Sequence, residues 1–181
     1  FGIEQLNMRA RAANNFTLDD LDEISHITSA RKIKTYLTLN TIIYDHDLSL
    51  MKRIVNKAKE AGISAVIASD QAVIGYAASV GMPVHISTQA NITNIETVRF
   101  YAHFADVMVL ARELSLKQIK EIAREINQKQ ITGPSGNLVR LEIFVHGALC
   151  MAVSGKCYLS LHTHNASANR GACMQNCRRT Y

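Results

Sequence analysis

Apolar and polar positions along the chain switch repeatedly between a period near two and a period near 3.6, which marks alternating strands and helices. Thr17, with Asp20 at the third helical position, reads as a variant capping box. Leu18, Leu21, Ile24 and Ile27 follow at helical spacing, so a helix is predicted to about Ala30. Residues 34–41, KTYLTLNT, alternate and are rich in β-branched and aromatic side chains, which predicts a strand. Ile42-Ile43-Tyr44 then leads into Asp47, the expected cap of a helix over Leu48 to Glu60, with Ile54, Ala58 and Ala61 on its apolar face and Gly62 as its stop. Ala65 to Ser69 is continuously apolar up to its last residue, as expected of a strand covered on both faces. Asp70 caps a helix that ends at Gly81, Pro83 to Thr88 is a further strand, and Asn94 to about Phe104 a further helix. Asp106 to Ala111 repeats the strand pattern, and Ser115 with Gln118 forms a capping box for a helix to about Asn127. Gly133-Pro-Ser-Gly136 breaks the chain before the last strand, Leu138 to His146.

Strand and helix alternating at intervals of roughly 18 to 32 residues imply repeated βα units and a parallel sheet. No Gly-x-Gly-x-x-Gly or P-loop run follows any strand, which argues against a nucleotide-binding doubly wound fold. The fold class expected is therefore α/β, a partial (β/α) TIM-type barrel truncated at both ends, because fewer strands are visible than the eight a closed barrel needs. Residues 1–147 make up the partial barrel, and residues 148–181 are a cysteine-rich segment of the same domain. An incomplete barrel leaves two unpaired edges, which favours edge pairing or poor solubility. The carboxyl ends of the strands carry Asn40, Ser69-Asp70, Ser87-Thr88-Gln89 with Asn91, Arg112-Glu113, and His146. In barrels that rim is where sites are built, although caps such as Asp70 already have structural work. Arg9 and Arg11, in the loop Asn7-Met-Arg-Ala-Arg-Ala, present paired N–H donors suited to a carboxylate or phosphate; the plainer alternative is a solvated loop.

Composition narrows the class only a little. The chain has 181 residues, is 48% hydrophobic and carries a net charge of +5, with a pI near 9.1 and mean hydropathy near zero. A core of one domain is affordable at this length, and no apolar run approaches the ~20 residues of a membrane helix. The mild basic excess suits a polyanion such as RNA, and is also common on ordinary proteins.

All four cysteines fall in the last fifth of the chain: Cys150, Cys157, Cys173 and Cys177, spaced C-x6-C-x15-C-x3-C. Clustered thiolates are a full ligand set for zinc or for an iron–sulfur cube. An even count also permits two disulfides, but nothing in the chain looks secreted, and cytoplasmic thiols stay reduced. The chain lacks paired C-x2-C knuckles, and this irregular spacing leans toward a cluster over a zinc ribbon, with free thiols the remaining reading. No Gly-x-Ser-x-Gly or His-Glu-x-x-His is present for a protease; a Cys150–His146 pair is the one conceivable nucleophile with its base.

Glu142-Ile-Phe-Val-His146-Gly-Ala-Leu-Cys150, Ser154-Gly-Lys-Cys157-Tyr-Leu-Ser160 and Ala168-Asn-Arg-Gly-Ala-Cys173-Met-Gln-Asn-Cys177-Arg together resemble the signature of peptidase family U32, the collagenase-like proteins. The likeness extends upstream through Asn7-Met-Arg-Ala-Arg-Ala, Tyr36-Leu-Thr-Leu-Asn-Thr-Ile, Ser87-Thr-Gln-Ala-Asn91 and Leu110-Ala-Arg-Glu-Leu114. One departure is His164-Asn165-Ala166-Ser167, where many relatives place Gly-Arg before Ser-Ala-Asn-Arg-Gly. The resemblance implies a [4Fe-4S] cluster, with zinc as the alternative, held by Cys150, Cys157, Cys173 and Cys177. It also implies oxygen-independent hydroxylation of a pyrimidine in RNA, a tRNA wobble uridine or a ribosomal RNA cytidine, with prephenate as oxygen donor and a cytoplasmic location. Peptidase activity, quinone-precursor hydroxylation and a partner subunit are the other properties it brings. On this reading Lys156, Arg170, Arg178 and Arg179 balance the cluster's negative charge, Arg112 with Arg9 or Arg11 holds an anionic donor, and His146 or Glu113 handles protons. Asn40, Gln89, Asn91 and Arg170 are the remaining candidates for substrate contact.

Overall fold

The computed structural model describes residues 1–11, 14–147 and 150–178. Five strands form one sheet in the order β1-β2-β3-β4-β5, with β1 at Tyr36–Leu39, β2 at Ala65–Ala68, β3 at Val84–Ile86, β4 at Val107–Val109 and β5 at Arg140–Glu142. Every neighbouring pair is parallel. The helices between them are α2 (Leu48–Glu60), α3 (Gln71–Ser79), α4 (Ile95–Ala102) and α5 (Leu116–Gln128); α1 (Leu21–Ala30) precedes the sheet and α6 (Leu159–His164) lies in the cysteine segment. The α/β class and the parallel sheet follow the pattern expected from the sequence.

Strand order equal to chain order has a geometric consequence. Right-handed crossovers that always step in the same direction put every helix on one face of the sheet. The burial agrees. Leu37, Leu39, Val66, Ala68, Val84, Ile86, Met108 and Leu110 share one face and join the core with Ile54, Val55, Val73, Ile74, Val98, Ile122 and Ile126 from the helices. Each such side chain contributes about 1.5–3 kcal/mol by leaving water. The opposite face carries the register row Thr38, Ile67, His85, Val107 and Arg140, and no helix between the strands covers it.

The caps expected at Asp70, Asn94 and Ser115 all form, with acceptance from Ala72 N, Thr97 N and Gln118 N, and Gln118 completes the box at Ser115. Two expectations shift. Asp20 turns back to accept from the backbone and hydroxyl of Thr17, so the helix begins at Leu21 rather than after Thr17. The last strand ends at Glu142, not His146. Glu142 O receives the final bond from β4, at Leu110 N, 3.0 Å, and Ile143, Phe144 and Val145 beyond it are 40%, 64% and 86% exposed. The opening residues lie on the outer edge of β1: Phe1 donates from its amino group to Tyr36 O at 3.0 Å and accepts from Thr38 N at 3.0 Å.

Candidate functional site

The cysteine segment folds back over the carboxyl ends of the strands, and side chains from the rim hold it there. Arg112, just past β4, donates to Cys150 O (3.3 Å), Ala152 O (2.8 Å) and Ser154 Oγ (2.8 and 3.1 Å). Its fork is thereby committed to the segment, where the sequence suggested an anion clamp. Arg170 was expected near substrate or cluster. It instead donates to Asp47 (2.5 Å) and to Ile42 O (2.7 Å) and lies 4.1 Å over the Tyr44 ring. The Arg170 hydrogen bond holds the Asp47 carboxyl below its ordinary range against the opposing effect of burial. Asp47 therefore anchors the segment, while its expected cap bond to α2 does not form.

Two glycines make the close approach possible. Gly155 (φ +76) packs so tightly on Gln89 that a Cβ there would sit 2.7 Å from Gln89 O, and at Gly171 (φ +89) a Cβ would sit 2.6 Å from Asn7 O. Backbone bonds tie the same surfaces, from Ile42 N to Asn169 O (3.1 Å) and from Arg11 N to Gly171 O (3.4 Å). Within the segment the buried polar groups are paired. Ser160 Oγ accepts from Met174 N at 3.0 Å, Asn169 Oδ1 accepts from Cys157 N at 3.4 Å, and Asn176 joins His164 Nε2 (3.0 Å) and Thr163.

All four thiols are free and line a single cavity of about 260 Å³, together with Lys156 and apolar side chains such as Met151 and Val153. Burial pushes the Cys150 thiol up, but a hydrogen bond with the Ala152 backbone, a second with Arg112, and the charges of Arg112 and Arg178 outweigh it and leave the pKa below the usual thiol range. Among the described residues no carboxylate or imidazole lines this cavity, so its charged-ligand donors there are the thiols, the set that suits an iron–sulfur cluster or tetrahedral zinc. Among the described residues no three Cys, His, Asp or Glu side chains already stand at ligating distance. The residues thus fit such a group in chemistry and share one cavity, and binding it requires the loop carrying Cys150 and Cys157 and the turn carrying Cys173 and Cys177 to close up.

A second cavity of about 130 Å³ adjoins the first on the sheet side, and the two share Met8, Gln89, Gly155 and Asn169. Asn40 and Ser69 complete its polar wall. Of the sequence candidates, Asn40 and Gln89 therefore meet at this wall, and Arg112 stands at the thiol cavity. Asn91, in a left-handed conformation, keeps a buried Oδ1 without a partner. Arg9 and Arg11 are exposed. Glu113 and His146 are exposed too and line neither cavity; the strand expected to carry His146 stops four residues before it. Arg179 lies outside the described residues. Sequence reasoning missed Met8, Asp47, Ser154 and Asn169. Asn169 lies inside the Ala-Asn-Arg-Gly motif and so carried a signal, whereas Asp47 carried only that of a cap.

Comparison with known proteins follows the same surfaces. The chain is 60% identical over 181 residues, all of it and 44% of the relative, to a collagenase of Porphyromonas gingivalis. It is 33% identical over 183 residues, 99% of it and 41% of the relative, to tRNA hydroxylation protein P of Helicobacter pylori. It thus spans less than half the length of these curated relatives. A solved U32 peptidase superposes with a TM-score of 0.54 at 11% identity, covering 81% of each chain, which is a likeness of fold. No helix among the described residues is long and apolar enough to cross a membrane. The profile of peptidase family U32 matches residues 1–181, and the chain belongs to that family.

Proposed function

We propose that this chain is the cofactor-bearing part of an enzyme that hydroxylates a pyrimidine base in RNA without dioxygen. The observation that carries the reading is the convergence of four thiols from two separate loops on one cavity beside a polar strand-end rim. Cys150, Cys157, Cys173 and Cys177 would hold a [4Fe-4S] cluster, which supplies electron transfer or Lewis acidity when bound. Lys156 and Arg178 offset its negative charge, Arg112 fixes the loop carrying Cys150, and the apolar wall from Met151 and Val153 limits water. Replacing a base C–H by C–OH is a two-electron oxidation, so a small-molecule donor must supply the oxygen and take up the electrons; prephenate is that donor on the family resemblance. The sequential strand order is that of a (β/α) barrel sector, and we read the face of Thr38, Ile67, His85, Val107 and Arg140, on which His85 and Val107 are already buried, as the lining of a barrel that further strands close. An RNA substrate agrees with the net charge of +5 and with the relative named as a tRNA hydroxylation protein, and on this reading the protein works in the cytoplasm.

The relative named collagenase, at 60% identity, favours peptide hydrolysis as the second reading. Anaerobic purification separates the two. About four irons and four sulfides per chain are expected, with iron falling sharply in Cys173→Ser. Zinc alone, or a metal-free protein that cleaves gelatin peptides through a thiol, overturns the cluster. Nucleoside mass spectrometry of tRNA and ribosomal RNA from cells lacking the gene is expected to show a lost hydroxylated pyrimidine; an unchanged profile overturns the RNA substrate.

A further inference from the structure

Asn169 is the fixed point of the cysteine segment. Its carbonyl accepts from Ile42 N at 3.1 Å, while the next two residues are seated on the rim, Arg170 on Asp47 and Gly171 on the Asn7 backbone. The residue is 8% exposed and lines both the thiol cavity and the smaller cavity beside it. Its Oδ1 accepts from Cys157 N at 3.4 Å. Only the oxygen end of a carboxamide can accept from a backbone N–H, so the orientation is set and Nδ2 is left as a donor. Among the described residues that nitrogen has no partner.

The other donors around the thiols are differently placed. Asn176 is equally buried but spends Nδ2 on Thr163 and Oδ1 on His164 Nε2. Gln89 and Gln175 are half-buried, and Arg112 gives its fork to Cys150 O, Ala152 O and Ser154 Oγ. The backbone of the first ligand loop is the nearest source of N–H groups, yet Cys157 N–H goes to Asn169 itself and Lys156 N–H to Val153 O at 3.0 Å. The amide nitrogen of Asn169 thus stands as a buried, oriented and unspent donor on the wall of an otherwise apolar, thiol-lined cavity.

We propose that Asn169 donates from Nδ2 to a sulfur of the group the four thiols hold, and thereby raises its reduction potential. The assignment rests on the iron–sulfur reading of this cavity. Reduction adds one negative charge to the cluster, and an N–H directed at sulfur stabilises that state more than the oxidised one. Burial strengthens the effect, because little water is present to screen the dipole. Since the backbone of Asn169 is tied to the rim rather than to the loop that closes, the donor is in place before the thiols gather and needs no reorganisation when the electron arrives.

The test uses the anaerobically purified full-length protein. Asn169→Asp keeps an acceptor for Cys157 N and removes the donor, whereas Asn169→Ala removes both without adding charge. Each is expected to retain the parent's iron and sulfide and to be reduced at a lower potential in a titration followed by electron paramagnetic resonance. With asparagine labelled in its side-chain amide, the spin-echo spectrum of the reduced parent is expected to show a weakly coupled nitrogen that both variants lack. A fall in potential confined to Asn169→Asp marks a charge acting at a distance and overturns the proposal, as does a nitrogen coupling that survives in the variants. Loss of iron from both variants also overturns it, since Asn169 then seats the Cys157 loop instead of tuning what the loop holds. The two readings fail separately: full iron with an unmoved potential sinks the role of Asn169 and leaves the cluster standing, whereas zinc alone in the parent sinks the cluster and this assignment together.

Discussion

Arg170 and Asp47 form the most consequential pair of side chains in the described molecule, 10% exposed on the aspartate side and 23% on the arginine side. Arg170→Met leaves a buried carboxylate without its partner and is expected to cost about 3 kcal/mol, read from the denaturant midpoint at neutral pH. Asp47 has a lowered folded pKa, held first by the Arg170 hydrogen bond. Its stabilisation is therefore complete above the ordinary value of about 3.9 and is lost as pH falls from there through the folded value. In Arg170→Met that acid slope is expected to flatten. His85 titrates with the opposite logic of charge. Burial first, and then the charge of Arg140, hold its pKa below the ordinary value, with its ring against Tyr36 at 4.5 Å. The folded protein keeps it neutral, so its contribution is full above about pH 6.5 and falls away below it. Comparing midpoints at pH 7.5 and 5.5, His85→Phe is expected to be less acid-sensitive than the parent; equal sensitivity excludes His85 as a cause. Neither pairing was legible in the sequence. Asp47 reads as a cap because it precedes a helix, and nothing local reveals an arginine arriving from 123 residues away.

Elements were legible wherever their signals were local. Asp70, Asn94 and Ser115 each sit one residue before a helix and do cap it. Strand lengths were not legible, because pairing is set by the neighbour: β5 loses its partner after Glu142 however β-prone Ile143-Phe-Val may be. The cysteine segment shows the same division. Its motif announced four clustered thiols, but its seat on the rim depends on two glycines meeting backbone far off in sequence. Gly155→Ala combines a left-handed φ with a Cβ 2.7 Å from Gln89 O. It is expected to destabilise by about 2–3 kcal/mol and to speed proteolysis between residues 150 and 157. A variant as stable and as protease-resistant as the parent excludes this contact as the hinge of docking.

At the scale of the molecule, five parallel strands in chain order form a sheet whose β1 edge is partly paired by the opening residues. The outer edge of β5 continues into Ile143, Phe144 and Val145, the most exposed apolar run near the sheet. Such an edge recruits another strand. Sedimentation velocity across a concentration series is expected to show self-association of the chain, reduced by Val145→Lys; association unaffected by that change places the contact elsewhere. The one-sided arrangement was half-visible beforehand, since the βα repeat implied parallel strands while only the observed order excludes a doubly wound sheet. One consequence concerns maturation. The ties that seat the thiols come from Asn7, Ile42, Asp47, Gln89 and Arg112, so no thiol pocket exists until nearly the entire sheet has assembled. During synthesis the cysteines emerge after the five strands, so the four thiols share a pocket only once the platform beneath them has formed.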